Sequence, residues 1–221
     1  MPVTVKICGL TSADAVDATV RAGAAYGGLV FHPKSPRFVA LEQARALAER
    51  MRGRLKIVAL IADMDDAGID AIVKTVRPDF LQLHGSETVQ RTADIRSRFG
   101  LPVIKALPVA EASDFDAVAD YEKFADMLMF DAKPPKGADR AGGHGAAFDW
   151  QILAGRSFSK PWFLAGGLNP DNVARAVELS GATQVDVSSG VESAPGVKDA
   201  VKINAFTTAA NSPASLSKQS A

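Results

Sequence analysis

Eight short β-rich runs alternate with eight helix-like stretches along this chain, and that alternation constrains the fold more than any other feature. The predicted strands are 3–8, 28–31, 56–61, 80–83, 103–106, 127–131, 162–165 and 184–187. The predicted helices are 12–22, 41–51, 66–76, 87–99, 110–121, 149–154, 171–179 and 198–209. Strict βα alternation predicts a parallel sheet covered by helices. Eight such units also suffice to close a barrel, in which the first and last strands are neighbours and their C-terminal tips build one site. Both end strands fit. Lys6-Ile7-Cys8-Gly9 and Asp186-Val187-Ser188-Ser189-Gly190 each read as a strand that breaks into a glycine turn with polar groups at its tip. The expected architecture is α/β, a single-domain (β/α)8 barrel of the TIM type over residues 1–210. Residues 211–221 are small, polar and without periodicity, and are expected to be a disordered tail. An open doubly wound sheet is the alternative, although neither a GxGxxG after the first strand nor a P-loop is present.

Length and composition agree with one such domain. A chain of 221 residues with 47% hydrophobic content can bury a sizeable core. Its 25 basic and 25 acidic residues cancel, so nothing points to nucleic acid or to a membrane surface as a partner. The single cysteine, Cys8, forms no internal disulfide, and no apolar run approaches the ~18 residues of a membrane span. The N-terminus lacks the pattern of a signal peptide, so a cytoplasmic protein is expected.

Strand side chains alternate between faces. In the first strand Val3, Val5 and Ile7 suit the helix-covered outside, which turns Lys6 and Cys8 inward. The same parity turns Asp186 and Ser188 inward on the last strand, Gln82 and His84 on the fourth, and Met127, Met129 and Asp131 on the sixth. Lys105 is expected opposite the apolar face of the fifth strand, hence inside. Lys6, Lys105, Asp131 and Asp186 would then bring two positive and two negative groups into one interior, either as a purely structural ion-pair layer or as a site. Residues 133–147, rich in Gly, Pro and Lys, form a long loop after the sixth strand, and long loops in compact domains tend to be functional.

A set of motifs in order resembles the phosphoribosylanthranilate isomerase family. They are KICGL at 6–10, FHPKSPRFV at 31–39, LQLHGSE at 81–87, IKALPV at 104–109, FDAK at 130–133, GGHGAAFDW at 142–150, LAGGLNPDNV at 164–173 and VDVSSGVESAPGVKD at 185–199. The family usually carries threonine or a similar small residue where His144 stands. The resemblance implies an isomerase of tryptophan biosynthesis. Its reaction is the Amadori rearrangement of N-(5-phosphoribosyl)anthranilate to 1-(2-carboxyphenylamino)-1-deoxyribulose 5-phosphate. It implies neither metal nor organic cofactor, and the three histidines lack zinc-site spacing.

Roles follow from the same resemblance. Asp131 matches the general acid that opens the furanose ring, and Cys8 the general base that takes the C2 proton. Read without it, Asp131 could merely cap its loop, and a buried cysteine is commonly an inert small hydrophobe. Arg37 matches the residue that pairs with the anthranilate carboxylate, for which a guanidinium fork is well shaped. Asp186 matches a position near the substrate, with pairing to Lys6 or Lys105 as its structural alternative. His84 is a further, weaker candidate for binding the substrate, with hydrogen bonding behind the reacting groups as its alternative. Gly166, Gly167, Ser189 and Gly190 are expected to hold the phosphate through backbone N–H groups, as is common after the last two strands of such barrels. Gly143, with Gly142 and Gly145, is expected to cover the sugar phosphate from the sixth loop.

Two rival functions stand beside this one. Another phosphosugar barrel enzyme, such as an epimerase or an indole-glycerol-phosphate synthase, would share the phosphate end but not the Cys8/Asp131 pair. A non-catalytic barrel that binds a phosphorylated ligand would need neither residue. The expected partner is the small-molecule substrate, and the expected assembly is a monomer or homodimer.

Overall fold

The structure, a computed structural model, describes residues 2–133 and 149–212. Eight parallel strands close into a barrel: β1 Thr4–Cys8, β2 Tyr26–Val30, β3 Lys56–Ile61, β4 Phe80–Leu83, β5 Val103–Val109, β6 Met127–Ala132, β7 Trp162–Leu164 and β8 Gln184–Val187. Closure is made by β1 against β8, with Lys6 in register with Asp186 and Ile7 with Val187. The chain is thus a single barrel, as the alternation predicts, and the open-sheet alternative falls.

Seven α-helices are present among the described residues: α1 Ala13–Arg21, α2 Leu41–Met51, α3 Asp66–Val76, α4 Val89–Phe99, α5 Val118–Glu122, α6 Val173–Ser180 and α7 Ala200–Ala210. Local side chains set where several begin. Ser12, Asp65, Thr88 and Asp199 each accept a hydrogen bond from a first-turn N–H, satisfying donors that a helix start leaves open. Two predicted helices are shorter and tighter than expected. In the fifth, Asp114 takes the N–H groups of Ala110 and Glu111 at 2.8 and 3.1 Å, which holds a 3₁₀ turn at Ala112–Phe115 ahead of α5. In the sixth, only a 3₁₀ turn at Trp150–Leu153 forms, capped by Asp149. After β8 the chain makes a hairpin that periodicity did not reveal, β9 Glu192–Ala194 with β10 Val197–Lys198.

Two cores result. The larger lies between strands and helices and includes Val5, Ile7, Leu81, Leu83, Leu128, Phe130, Val185 and Val187. The smaller fills the barrel itself with Val58, Ile104, Ala106, Met127, Met129, Phe163 and Ala165. Tyr26 packs edge-on against Phe80 and Phe163 there. The parity expected for β1, β4, β6 and β8 therefore holds. That of β5 does not. Ile104 and Ala106 point inward, while Lys105 lies with Val103 and Leu107 on the helix side. Its ammonium donates to Glu87 Oε2 at 2.8 Å and to Gly85 O at 2.9 Å, and sits over the Tyr121 ring. Both faces of β5 are apolar, so alternation alone carries no sign there. The lysine goes where α4 and α5 supply a carboxylate and a ring.

The end of α7 is tied to the start of the barrel. Asn211 Oδ1 accepts the N–H of Val3 at 2.8 Å, joining the end of α7 to the start of β1. Residues 213–221, the rest of the expected tail, lie outside the described residues. No helix among the described residues is long and apolar enough to cross a membrane.

Candidate active site

The C-terminal end of β1 carries Cys8, buried and directed into the barrel. One pleat below it, Lys6 is wholly buried, and its ammonium donates to Asp186 Oδ1 at 2.7 Å. Asp186 therefore pairs with Lys6 and not with Lys105. A buried ammonium survives only with such a partner. Burial pulls Lys6 down, but the charges of Asp186 and Cys8 outweigh it and leave Lys6 above an ordinary lysine. Burial pushes the Cys8 thiol up. Lys6 and Lys198 oppose this and Asp186 reinforces it, so the thiol stays above its ordinary range. Room for these groups comes from β2. A Cβ on Gly28 would stand 3.0 Å from Cys8 Sγ and 3.3 Å from Lys6 Nζ, close enough that the thiol or the ammonium would have to give way.

On the opposite wall, Asp131 near the end of β6 is buried and held from two sides. Its Oδ1 accepts the N–H of Ala132 at 2.8 Å, and its Oδ2 lies 3.1 Å from His84 Nε2. The other ring nitrogen of His84 meets Gln82 Nε2 at 3.0 Å. His84 thus lies against the carboxyl, and Gln82 lies against His84.

Arg37 is not a solvated loop arginine. It is buried, and its Nε and Nη2 donate to Glu192 Oε1 and Oε2 at 2.7 and 2.9 Å. Glu192 is also shared with Lys198, whose buried ammonium donates to it at 2.7 Å and to Ser188 O at 2.9 Å. Burial would raise the Glu192 carboxyl, but Arg37 and Lys198 together hold it below the usual carboxylate range. Burial lowers Lys198, which Glu192 only partly offsets. Two buried cations share one carboxylate, which leaves a net positive charge beside the barrel mouth. Ser188 links this cluster to Cys8, because its hydroxyl donates to the Cys8 carbonyl at 3.1 Å.

Glu192 and Lys198 were not singled out in the sequence, although both lie in the motif at 185–199. Their signal was a Glu and a Lys flanking Ala194-Pro195-Gly196, a hairpin tip that folds them onto the same point. Gly28 and Gln82 were likewise unassigned a role.

The loops after β7 and β8 lie against each other. Gly166 and Gly167 take φ of +83° and +66°, a left-handed conformation that favours glycine. Asn172 Nδ2 donates to Gly167 O at 2.9 Å, and Asn169 Oδ1 caps the N–H groups of Asp171 and Asn172, which holds the β7 loop in shape. Ser189 and Gly190 lie in a short 3₁₀ turn directly after β8. A Cβ on Gly190 would overlap the carbonyl oxygen of Leu168. Gly190→Ala should therefore push the β7 and β8 loops apart. The expected result is inhibition by inorganic phosphate weakened about tenfold or more, equivalent to one lost ~1.4 kcal/mol. Unchanged phosphate inhibition would show that this loop junction takes no part in anion binding. Gly142, Gly143, His144 and Gly145 lie outside the described residues. Among the described residues no group of three or more His, Cys, Asp or Glu is placed to hold a metal ion.

Residues 5–209 match the family model described as N-(5'phosphoribosyl)anthranilate (PRA) isomerase. The N-(5'-phosphoribosyl)anthranilate isomerase of Paramagnetospirillum magneticum is 56% identical over 210 residues, covering 95% of this chain and 98% of the relative. Among solved structures, the phosphoribosyl anthranilate isomerase of Thermotoga maritima superposes with a TM-score of 0.84 at 34% identity, covering 94% of this chain and 98% of that one. A phosphoribosyl anthranilate isomerase in complex with reduced 1-(o-carboxyphenylamino)-1-deoxyribulose 5-phosphate follows at 0.80 and 31%, with 94% and 98% covered. With its barrel closed, Cys8 and Asp131 facing one interior, and nearly its full length matched, the chain belongs to the N-(5'-phosphoribosyl)anthranilate isomerase family, isomerases of tryptophan biosynthesis.

Proposed function

We propose that Asp131 is the general acid and Cys8 the general base of the Amadori rearrangement of N-(5-phosphoribosyl)anthranilate. The observation that carries this reading is their placement: one carboxyl and one thiol at the C-terminal ends of β6 and β1, both directed into the same barrel mouth. Asp131 gives its proton to the ring oxygen as the C1–O bond breaks and the anthranilate nitrogen forms C1=N⁺. The Cys8 thiolate then takes the C2 proton, and its electron pair neutralises the iminium to give an enolamine. Return of a proton to C1 and loss of the C2 hydroxyl proton complete the ketose. If Cys8 supplies the first and Asp131 receives the second, both groups end as they began. Each such group typically contributes ~10²–10⁴ in rate.

The two ends of the substrate are assigned by charge and donors. The net positive cluster of Arg37, Glu192 and Lys198 suits the anthranilate carboxylate. Arg37 Nη1 donates to no described residue, so it keeps donors for that contact. The N–H groups of Gly166 and Gly167 likewise donate to no described backbone acceptor and, with those of Ser189 and Gly190, suit the phosphate. Asp186, paired with Lys6, is proposed to orient substrate hydroxyls and to keep Lys6 beside the thiol. All these residues come from one chain, so a monomer and a homodimer would carry the same site. The reduced product bound in the related structure carries a carboxylate at one end and a phosphate at the other, the two groups that such a division has to serve.

The test is turnover of freshly generated phosphoribosylanthranilate, followed by loss of its fluorescence, against pH. A base works only when deprotonated. A thiol held above its ordinary range is mostly protonated at neutral pH, so its thiolate fraction rises about tenfold per pH unit. In Asp131→Asn, where no acid titrates against the base, the residual kcat/KM is therefore expected to climb with unit slope through neutral pH and to be still climbing at the ordinary thiol pKa of about 8.5. Lys6→Met removes a charge that favours the thiolate and should move the rise further up. A plateau already reached below pH 7 would remove Cys8 as the base of the free enzyme.

A further inference from the structure

Gln82 is completely buried on the inner face of β4 and touches nothing but the interior. Its Nε2 lies 3.0 Å from His84 Nδ1 and 3.3 Å from Met129 Sδ, while its Oε1 has no hydrogen-bond partner among the described residues. A buried amide oxygen without a partner is costly, and each one calls for an explanation. We propose that Gln82 is a positioning residue for the acid: its amide sets the tautomer of His84, and the two orientations of that amide match the two protonation states of Asp131. The inference rests on the reading of Asp131 as the acid.

The argument is a count of donors and acceptors. A neutral imidazole has one N–H and one lone pair. With the Gln82 NH₂ facing Nδ1, that nitrogen must be the acceptor, so the ring proton sits on Nε2 and is donated across 3.1 Å to Asp131 Oδ2. This arrangement fits Asp131 as a carboxylate, which only accepts, and hence the state after its proton has gone to the substrate. Loaded with that proton, Asp131 has an O–H to donate at Oδ2. His84 Nε2 can accept it only if the ring proton moves to Nδ1, and Nδ1–H then needs an acceptor where an NH₂ now stands. A half-turn of the Gln82 amide puts Oε1 at that point and gives the orphaned oxygen its partner. The turn leaves the NH₂ where Oε1 stood without a partner, so each orientation satisfies one end of the amide, and the thioether of Met129, a weak acceptor, tips the balance little.

Few other charges reach this line. On β6 and β4 the titratable groups are Asp131 and His84 themselves. Lys6 and Cys8 on β1 and Asp186 on β8 share the interior, but Lys6 is committed to Asp186 and neither makes an ion pair with His84 or Asp131 among the described residues. Lys105 and Glu87 form their own pair on the outer side of the β4–β5 wall.

The test is the ¹⁵N resonance pattern of the His84 ring together with the pH dependence of turnover, in the wild type, Gln82→Met and Gln82→Glu. In the wild type, neutral His84 should be the Nε2–H tautomer wherever Asp131 is ionised and the Nδ1–H tautomer wherever it is protonated, so the ring should follow the Asp131 carboxyl along its titration. Gln82→Met keeps the length but has no amide to direct the ring. It should yield a mixture of tautomers, lower kcat about tenfold, a fraction of the ~10²–10⁴ of a full acid, leave KM little changed, and displace the acid limb of the kcat profile. Gln82→Glu offers only an acceptor and should favour Nδ1–H. A wild type whose His84 tautomer does not follow the protonation of Asp131, or a Gln82→Met protein with unchanged tautomer and pH profile, would overturn the proposal whatever its melting temperature. If Gln82→Met does not fold, the wild type and Gln82→Glu decide between the same outcomes. Failure of the acid assignment shows differently: Asp131→Asn would turn over normally while the effect of Gln82 on the His84 tautomer persisted.

Discussion

Asp131→Asn and Cys8→Ala are each expected to lower kcat by about 10²- to 10⁴-fold, the usual worth of a positioned acid or base. The asparagine keeps the size of Asp131 and can still accept from Ala132 N–H, but it has no acidic proton to give the ring oxygen. The alanine removes a sulfur that packs within the barrel mouth beside Lys6 and Gly28, and with it the thiol proposed to take the C2 proton. The two losses should differ in kind. Cys8→Ala should abolish exchange of the substrate C2 hydrogen with solvent, whereas Asp131→Asn should be rescued in part by substrates that open their ring readily. Thermal melting within a few degrees of the wild type confirms that folding is intact. Turnover near that of the wild type in either variant would take that residue out of the mechanism.

Arg37→Ala should produce the second largest effect, and it should appear in both stability and activity. Arg37 is one of two cations on buried Glu192, so its loss leaves that carboxylate with Lys198 alone. Breaking a buried pair costs about 3–5 kcal/mol when nothing remains to compensate, and the surviving lysine should hold the cost to the lower end. The lost contact to the anthranilate carboxylate is worth about 1.5–3 kcal/mol as a charge-assisted hydrogen bond. That is roughly a 10- to 150-fold loss in kcat/KM. The kinetic loss should nearly vanish for an analogue without the carboxylate, while phosphate should inhibit the variant as it does the wild type. Equal losses for both substrates would mean that Arg37 serves only to anchor the β9–β10 hairpin through Glu192.

Much of this protein was legible in one dimension because parallel strands buried on one face leave a parity in the sequence. Val5 and Ile7, Leu81 and Leu83, Leu128 and Phe130, Val185 and Val187 mark the helix side, and that alone turned Lys6, Cys8, Gln82, Asp131 and Asp186 inward. The strand bounds of β3, β4 and β8 were readable to the residue, because each ends at a charged, proline or glycine-rich break. Lys105 was misread for the converse reason. Where Val103, Ile104, Ala106 and Leu107 are apolar on both faces, parity has no sign, and only the position of Glu87 and Tyr121 decides which way the lysine turns. The fifth and sixth helices failed because Asp114 and Asp149 bond to nearby backbone N–H groups and favour short 3₁₀ turns.

The site divides along the same line. Local sequence determined which residues stand at strand tips and look inward, since pleat and helix period are properties of a few neighbouring residues. Only the tertiary structure decided what those residues meet. Lys6 and Asp186 are 180 positions apart and Arg37 and Glu192 are 155 apart, yet barrel closure and a late hairpin bring each pair within 2.7 Å. A charge buried by the fold must find its counter-charge wherever the fold places one, and that choice depends on distance in space, which no local pattern encodes.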